Sequence, residues 1–295
     1  MSEWLWIPVT LWAAFAQTVR NAAQRHLTAE LGTLGATLVR FLYGLPFAAL
    51  WLAIVAMAGG DALPRINLVF SGWVLLSSVC QIAATAFLLL TMQERNFALG
   101  VAYSKTEVLQ VAVFGLALLG DPLGPASIAA VLCGTAGVLL LSPAGWSGGW
   151  TSRSALLGLA SGAGFALSAV GYRGAALALE GTPFLMAAAA TLVAAQLAQT
   201  MLLGGWMAAR EPGAVLRVLR AWRASLLAGF MGAAASAGWF TAFAIEPVAH
   251  VRTLGLVELV FSYAVSRRLF REKLSPKELA GMGLLTLGVM LVLNL

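Results

Sequence analysis

The sequence predicts an all-α integral membrane protein with ten transmembrane helices, arranged as two inverted five-helix repeats. Of its 295 residues, 60% are hydrophobic and only 10% are charged. Soluble domains carry about 25% charged residues, so too few polar side chains are present to cover a globule in water. A helix needs roughly 20 residues to cross the hydrocarbon core, so this chain has room for about ten spans joined by short loops.

Ten apolar runs occur along the chain, separated by turn and charge signals. They cover residues 4–24, 33–58, 66–91, 97–119, 124–141, 153–178, 182–206, 222–244, 248–269 and 276–294. Helices are the expected spanning element, because each backbone group can then be hydrogen-bonded within its own segment. The first run lacks a preceding basic segment and a clear cleavage site, so we interpret it as a span and not as a removable signal peptide.

Comparison of the chain with itself indicates an internal repeat. A shift of 151 residues places Glu107 on Glu258, and it aligns Thr-Ala-Gly-Val at 135–138 with Thr-Leu-Gly-Val at 286–289. We therefore predict one five-helix repeat over residues 1–145 and a second over residues 150–295. Because five crossings leave the chain on the opposite side of the membrane, the second repeat must be inverted. Inverted repeats are typical of secondary transporters, which alternate access around a site near the midplane.

Basic residues are concentrated in the loops that follow the odd-numbered spans. These loops contain Arg25, Arg95, Arg153, Arg210, Arg217, Arg220, Arg223, Arg267, Arg268, Arg271, Lys273 and Lys277, whereas the opposite side has Arg65 and Arg173. Cytoplasmic loops carry an excess of Lys and Arg, so these loops are predicted to face the cytoplasm and both termini the outside. The expected location is a bacterial-type cytoplasmic (inner) membrane. The net charge of +6 lies in these loops, so nucleic acid is not an expected partner.

Each half carries a Glu in its fourth span and an acid-x-Leu-x-Pro-like turn into its fifth. The stretches are Tyr-Ser-Lys-Thr-Glu-Val at 103–108 with Leu-Gly-Asp-Pro-Leu at 119–123, and Val-Glu-Leu-Val-Phe at 257–261 with Phe-Arg-Glu-Lys-Leu-Ser at 270–275. With Arg40-Phe41 in the second span, these motifs resemble the EamA branch of the drug/metabolite transporter superfamily over essentially the whole chain. That family often has Pro after the two glutamates, whereas Val108 and Leu259 follow them here.

The resemblance implies ten helices around a central cavity, with the first four helices of each half lining it. It also implies transport of small metabolites, a class that includes amino acids, organic acids, nucleotide-like solutes and toxic cations. Such substrates are often exported and often coupled to protons. The resemblance is specific for fold and transport, and it leaves the substrate open.

Ionisable residues inside membrane spans are costly, so they are candidates for a functional role. Glu107 lies about ten residues into the fourth span and Glu258 at the same depth in the ninth, so both are expected near the bilayer midplane. Each is a candidate to bind substrate or a proton, and a structural ion pair is the alternative interpretation. Lys105 is a candidate to clamp an anionic group, to pair with a carboxylate, or to serve only as a packing cation.

Polar side chains share the helical faces of the two glutamates. By i, i+3 and i+4 spacing, Tyr103 and Gln110 lie on the face of Glu107, and Ser262 lies on the face of Glu258. We predict that these two stripes form walls of the substrate cavity.

Four further candidates lie in other spans or near a span end. Arg40 is expected to pair with Glu107 or to meet the substrate. Arg252 is a substrate candidate, with snorkelling to the membrane interface as its alternative role. Gln81 and Trp239 are candidates to line the transport path, and a lipid-belt or packing role is the alternative for both.

Other function classes are disfavoured by what the sequence lacks. It has only two His residues and no zinc-protease, paired-Asp or nucleophile-elbow motif, so an integral membrane enzyme is a distant alternative. We predict a non-enzymatic secondary transporter without cofactor or metal. Its expected role is export of a small polar or amphiphilic metabolite, an amino acid or organic acid being favoured, with proton coupling as a further hypothesis. Export of organic cations or drugs is the alternative, and either a monomer or a homodimer is expected.

Overall fold

The computed structural model describes residues 4–59, 62–94, 101, 104–121, 124–125, 128–129, 132–133, 136, 153–269, 276, 280, 284 and 287. Every regular element within these residues is helical. Backbone contacts divide the chain into two compact units. Unit 1 contains Met1–Ile82 and Gly171–Glu246, and unit 2 contains Ala83–Val170 and Pro247–Leu295. Each unit therefore takes segments from both halves of the sequence.

Eleven α-helices are defined in the described residues. They are α1 (Trp6–Leu42), α2 (Leu45–Gly59), α3 (Leu68–Glu94), α4 (Glu107–Leu119), α5 (Arg153–Leu177), α6 (Phe184–Gln199), α7 (Gly205–Arg210), α8 (Pro212–Arg220), α9 (Trp222–Ile245), α10 (Val248–Leu254) and α11 (Glu258–Leu269). A π-helical turn at Thr200–Gly204 joins α6 to α7, and a 3₁₀ turn at Gly255–Val257 joins α10 to α11.

Within the described residues, five helical segments are long and apolar enough to cross a membrane. They are Trp6–Gly59, Leu68–Glu94, Phe184–Arg210, Trp222–Ile245 and Val248–Leu269. Large apolar side chains such as Met57 and Leu68 are almost fully exposed. A soluble protein rarely exposes such surface in quantity, whereas lipid accepts it. The described residues therefore confirm an all-helical chain with several segments suited to a membrane, while ten spans and an inverted arrangement stay predictions.

The first of these segments is interrupted at Gly32. Its φ of 69° and ψ of 175° lie outside the helical region and split α1 into residues 6–31 and 33–42. A positive φ favours glycine, because a Cβ would meet the backbone in that conformation. The Gln24 side-chain amide bridges the break by donating to the Ala36 carbonyl over 2.8 Å. The interruption falls at the predicted boundary between the first and second spans.

Small residues bring α1 and α9 into close contact within unit 1. A Cβ added to Gly238 would lie 2.8 Å from the Ala13 Cβ, and one added to Gly229 would lie 2.5 Å from the Tyr43 Cβ. Glycine at both positions lets the two backbones approach more closely than side chains would permit. Such small-residue contacts are typical of helices packed inside a membrane.

Candidate functional site

Unit 2 contains a helix break directly before Glu107. Lys105 and Thr106 form a turn, and α4 begins at Glu107. The Val108 N–H donates to the Lys105 carbonyl over 3.2 Å, an i to i+3 bond that is tighter than the α-helical pattern. The predicted fourth span is therefore not one uninterrupted helix. Glu107 occupies the first position of a helix instead of a position ten residues inside one.

Gly162 of α5 makes room for this break. A Cβ at Gly162 would lie 2.8 Å from Thr106 Oγ1, 3.0 Å from the Ser104 carbonyl oxygen and 3.1 Å from the Glu107 nitrogen. The buried Ser161 hydroxyl holds α5 in place nearby by donating to the Ala84 carbonyl over 2.9 Å. Helix α5 therefore packs directly on the backbone of the turn that sets the position of Glu107.

A second break precedes Glu258. The 3₁₀ turn at Gly255–Val257 ends there, and Glu258 is the first residue of α11. The two glutamates matched by the 151-residue shift therefore each begin a helix directly after a tight turn. Both breaks form without the Pro that the resembled family often has after these glutamates.

Four charged side chains meet where the two breaks lie. The Lys105 Nζ is 2.6 Å from Glu258 Oε2 and 3.3 Å from Glu107 Oε1. The Arg252 Nη1 is 3.5 Å from Glu107 Oε1. All four side chains are at most 5% exposed. We refer to Lys105, Glu107, Arg252 and Glu258 as the charge quartet, in which Lys105 bridges both carboxylates.

The charge quartet is formally neutral, because two cations face two carboxylates. Taking four charges out of water is expensive, and apolar residues of similar volume often stabilise a protein as well as a buried ion pair does. Stability alone therefore accounts poorly for the quartet. Ionisable residues kept inside membrane spans more often mark a substrate, ion or proton pathway.

The quartet brings together four sequence-predicted site residues, and two more lie beside it in the chain. Lys105 pairs with two carboxylates, pairing being one of its three predicted alternatives, and the Arg252 guanidinium is buried within unit 2. Ser262 lies one turn after Glu258, fully buried, and its hydroxyl has no hydrogen-bond partner in the described part of the chain. Gln110 lies one turn after the first glutamate and is partly buried. Tyr103 lies outside the described residues.

Gln81 belongs to a buried hydrogen-bond network in unit 1. The Tyr172 hydroxyl donates to Gln81 Oε1 over 3.2 Å. The Gln199 Nε2 donates to the same oxygen over 2.6 Å and lies 2.8 Å from the Tyr172 hydroxyl. A fully satisfied polar network of this kind fixes the geometry of its helices. Gln81 therefore has a structural role in its network, and its predicted place on a transport path stays a prediction.

Two buried arginines pack against Gly232 in unit 1. A Cβ at Gly232 would lie 3.1 Å from Arg40 Cγ and 3.4 Å from Arg20 Cδ. Arg20 donates to Asn21 Oδ1 over 2.6 and 3.2 Å, and the Arg40 guanidinium lies 5.4 Å from the Phe41 ring centroid. Both arginines are at most 2% exposed. Sequence reasoning missed Arg20, although a charged residue within the first apolar run was the available signal.

The predicted partner of Arg40 belongs to a different unit. Within unit 2, Glu107 pairs with Lys105 and Arg252. The expected pairing of Arg40 with Glu107 therefore stays a prediction.

Trp239 links α9 to α1 in unit 1. Its indole N–H donates to Gln17 Oε1 over 2.8 Å, and its ring stacks on Phe243 at a centroid distance of 6.0 Å. A second aromatic contact, between Tyr172 and Phe240, has a centroid distance of 4.4 Å. These contacts show that Trp239 packs inside unit 1, and its predicted place on a transport path stays a prediction.

An apolar cavity of about 420 Å³ is formed in unit 1 by side chains of α1, α2, α6 and α9, together with Leu5. Aromatic side chains that include Trp12, Phe47, Trp51 and Phe230 line it. This cavity is suited to the hydrocarbon or aromatic part of an amphiphile. Among the residues that the structure describes, no group of three or more His, Cys, Asp or Glu could hold a metal ion.

Comparison with known proteins informs the fold alone. One solved structure, described only as a crystal structure of a protein, is similar to this chain with a TM-score of 0.71 and 19% sequence identity. The similarity covers 97% of this chain and 94% of that one. No protein-family model matches the chain, and no curated protein matches it. The fold as a whole is therefore shared with a solved protein, and the resemblance to EamA-type transporters stays a prediction.

Proposed function

We propose that this chain is a secondary transporter that carries a small polar or amphiphilic metabolite across the cytoplasmic membrane by alternating access, in the export direction. The observation that carries this proposal is the charge quartet of unit 2. Its two glutamates occupy matched positions of the internal repeat and begin matched helices. If residues 1–145 and 150–295 are inverted halves, a transporter explains why two matched glutamates are buried. A scaffold protein or a receptor would not explain it.

Charge balance in the quartet suggests how protons enter the mechanism. Protonation of Glu107 or Glu258 would leave two cations facing one carboxylate. The Lys105 ammonium would then lose one of its two anionic partners, and the cluster would carry one excess positive charge. Because a buried uncompensated charge is costly, the protonated cluster favours a second event that restores neutrality. Binding of an anionic substrate is such an event, so proton and anion would bind together and move in the same direction. Export by this route would be driven by the outward gradient of the substrate and not by the inward gradient of protons.

The buried arginines of unit 1 favour a substrate with a carboxylate. Lys105 and Arg252 are already balanced by glutamates, so they no longer argue for an anion by themselves. Arg20 and Arg40 are two further buried cations, and they lie in unit 1. A planar guanidinium binds a carboxylate through two parallel hydrogen bonds, which gives both affinity and orientation. An amino acid or organic acid is therefore the favoured substrate class.

Export of an organic cation is the alternative, and the apolar aromatic cavity of unit 1 favours it. A cation would be expected to take the place of the proton at a glutamate, because both neutralise the same carboxylate. Proton and cation would then move in opposite directions. The sign of proton movement relative to substrate movement therefore separates the two candidate substrate classes.

The proposal is tested by uptake into proteoliposomes that contain the full chain. A panel of radiolabelled amino acids and organic acids is compared with quaternary ammonium compounds, using wild type, Glu107→Gln and Glu258→Gln. We expect accumulation of a carboxylate and at least a tenfold loss in both variants. Glu94→Gln is the matched control, because Glu94 pairs with the exposed Arg153 at 3.3 Å. Transport that both quartet variants leave unchanged would contradict the proposal.

A further inference from the structure

Helix α8 is a short amphipathic helix that is fixed to unit 1 along one face. Ala214 and Val218 are buried, one turn apart. The Tyr43 hydroxyl lies 3.1 Å from the carbonyl oxygens of both Val218 and Leu219, and donates to this end of the helix. A Cβ at Gly35 would lie 3.3 Å from a Val218 methyl carbon, so α1 approaches this face closely. The inward side of α8 is therefore occupied by the protein itself.

The other two sides of α8 differ in character. At 3.6 residues per turn, Val215 and Leu219 fall on one flank of the buried stripe, while Arg217 and Arg220 fall on the opposite flank. Leu216 and Leu219 are each about half exposed, as is Trp222 at the start of the next helix. Exposed leucines beside exposed arginines suit neither bulk water nor the hydrocarbon core.

Positive charge extends along the whole segment around α8. Arg210, Arg217, Arg220 and Arg223 are all exposed, and Glu211 is the one acidic residue between positions 210 and 223. The Arg223 guanidinium lies 5.2 Å from the Trp222 ring centroid. Tryptophan with adjacent arginine is typical of side chains that lie at the level of lipid headgroups.

We propose that α8 and the start of α9 form a binding surface for anionic phospholipids, with Val215, Leu216 and Leu219 in the outer acyl region and Arg217, Arg220 and Arg223 on headgroup phosphates. Helices that lie in the membrane interface combine an apolar flank with a basic one in this way. The partner is identified by charge complementarity, since an anionic headgroup offers phosphate oxygens to a basic segment that contains one acidic residue, Glu211. The surface is independent of the charge quartet and of the proposed transport activity.

A hydrogen bond connects this surface to α1 and α2 of unit 1. Tyr43, which anchors α8, lies in the turn between α1 and α2. It follows the buried Arg40 by three residues. The proposed lipid surface therefore lies on a helix whose end is joined to the end of α1 by the Tyr43 hydroxyl.

The test is native mass spectrometry of the purified full chain titrated with phosphatidylglycerol or with phosphatidylcholine. A basic residue near an anionic surface contributes about 1 kcal/mol, which is about a fivefold change in affinity. We expect phosphatidylglycerol to bind more tightly than phosphatidylcholine. The triple variant Arg217→Gln, Arg220→Gln, Arg223→Gln should lose at least about tenfold in phosphatidylglycerol affinity. The triple Lys variant at the same positions is the matched control and should bind within about threefold of wild type.

Two results would overturn the proposal. The first is equal binding of both lipids, or phosphatidylglycerol binding that the triple Gln variant leaves unchanged. The second is a dimer in light scattering that the double variant Leu216→Ser, Leu219→Ser dissociates, while its phosphatidylglycerol binding stays at the wild-type level. That result would make this surface an interface between two copies of the chain.

Discussion

Replacing Glu258 by Gln removes the carboxylate that Lys105 contacts at 2.6 Å. Glu258 is fully buried and Lys105 nearly so, so water cannot replace the lost partner. The quartet would change from neutral to one excess positive charge. Breaking a buried pair by removing one partner costs about 3–5 kcal/mol, most of it from the charge left behind. Lys105 keeps Glu107 at 3.3 Å, so we expect a loss near the lower end of that range.

The assay is a double-mutant cycle on the free energy of unfolding, measured by SDS titration in mixed micelles. The variants are Glu258→Gln, Lys105→Met and both together. Because the double variant restores neutrality with Arg252 facing Glu107, it should be less destabilised than the sum of the single variants by at least about 2 kcal/mol. The exposed pair of Glu94 with Arg153 is the matched control, and its variants should change stability by at most about 1 kcal/mol. Additive effects within the quartet would refute the reasoning, since independent residues show no coupling.

Two other variants test the packing around these networks. Gly162→Ala puts a Cβ 2.8 Å from Thr106 Oγ1, so we expect about 1–3 kcal/mol of destabilisation in thermal unfolding. Gly205→Ala is the control, because its added Cβ meets no neighbour within 4 Å, and it should be neutral or stabilising. An unchanged midpoint for Gly162→Ala would show that the turn before Glu107 can move aside. Gln199→Leu removes the amide that Gln81 and Tyr172 share, and the same assay should report a loss of about 1–3 kcal/mol. Stability equal to wild type would mean that the network is dispensable.

The matched positions of Glu107 and Glu258 could be predicted because a shift of 151 residues aligns the two halves of the sequence. Their partners could not, since Lys105 and Glu258 are 153 residues apart and only the fold brings them together. From the sequence, Arg252 lies near the end of a predicted span, where a long side chain can reach the membrane interface. The 3₁₀ turn that follows it places its guanidinium inside unit 2 instead.

The two helix breaks, before Glu107 and before Glu258, could not be predicted from the sequence either. Apolar runs predict where a segment can be buried, but they do not distinguish an α-helical turn from a 3₁₀ turn of the same composition. The break before Glu107 depends on Gly162, which is 55 residues away and leaves space for the turn. In contrast, the break at Gly32 coincides with a predicted span boundary, because the second apolar run begins directly after it.

The central claim is that the buried glutamates couple substrate movement to protons. Its most direct test is substrate-induced proton movement in proteoliposomes loaded with a pH-sensitive dye, for wild type, Glu107→Gln, Glu258→Gln and the Glu94→Gln control. For a carboxylate substrate, we predict that protons move in the same direction as the substrate in wild type and in the control, and that this movement is lost in both quartet variants. Proton movement that persists in both variants, or substrate transport without any proton movement in wild type, would contradict the account.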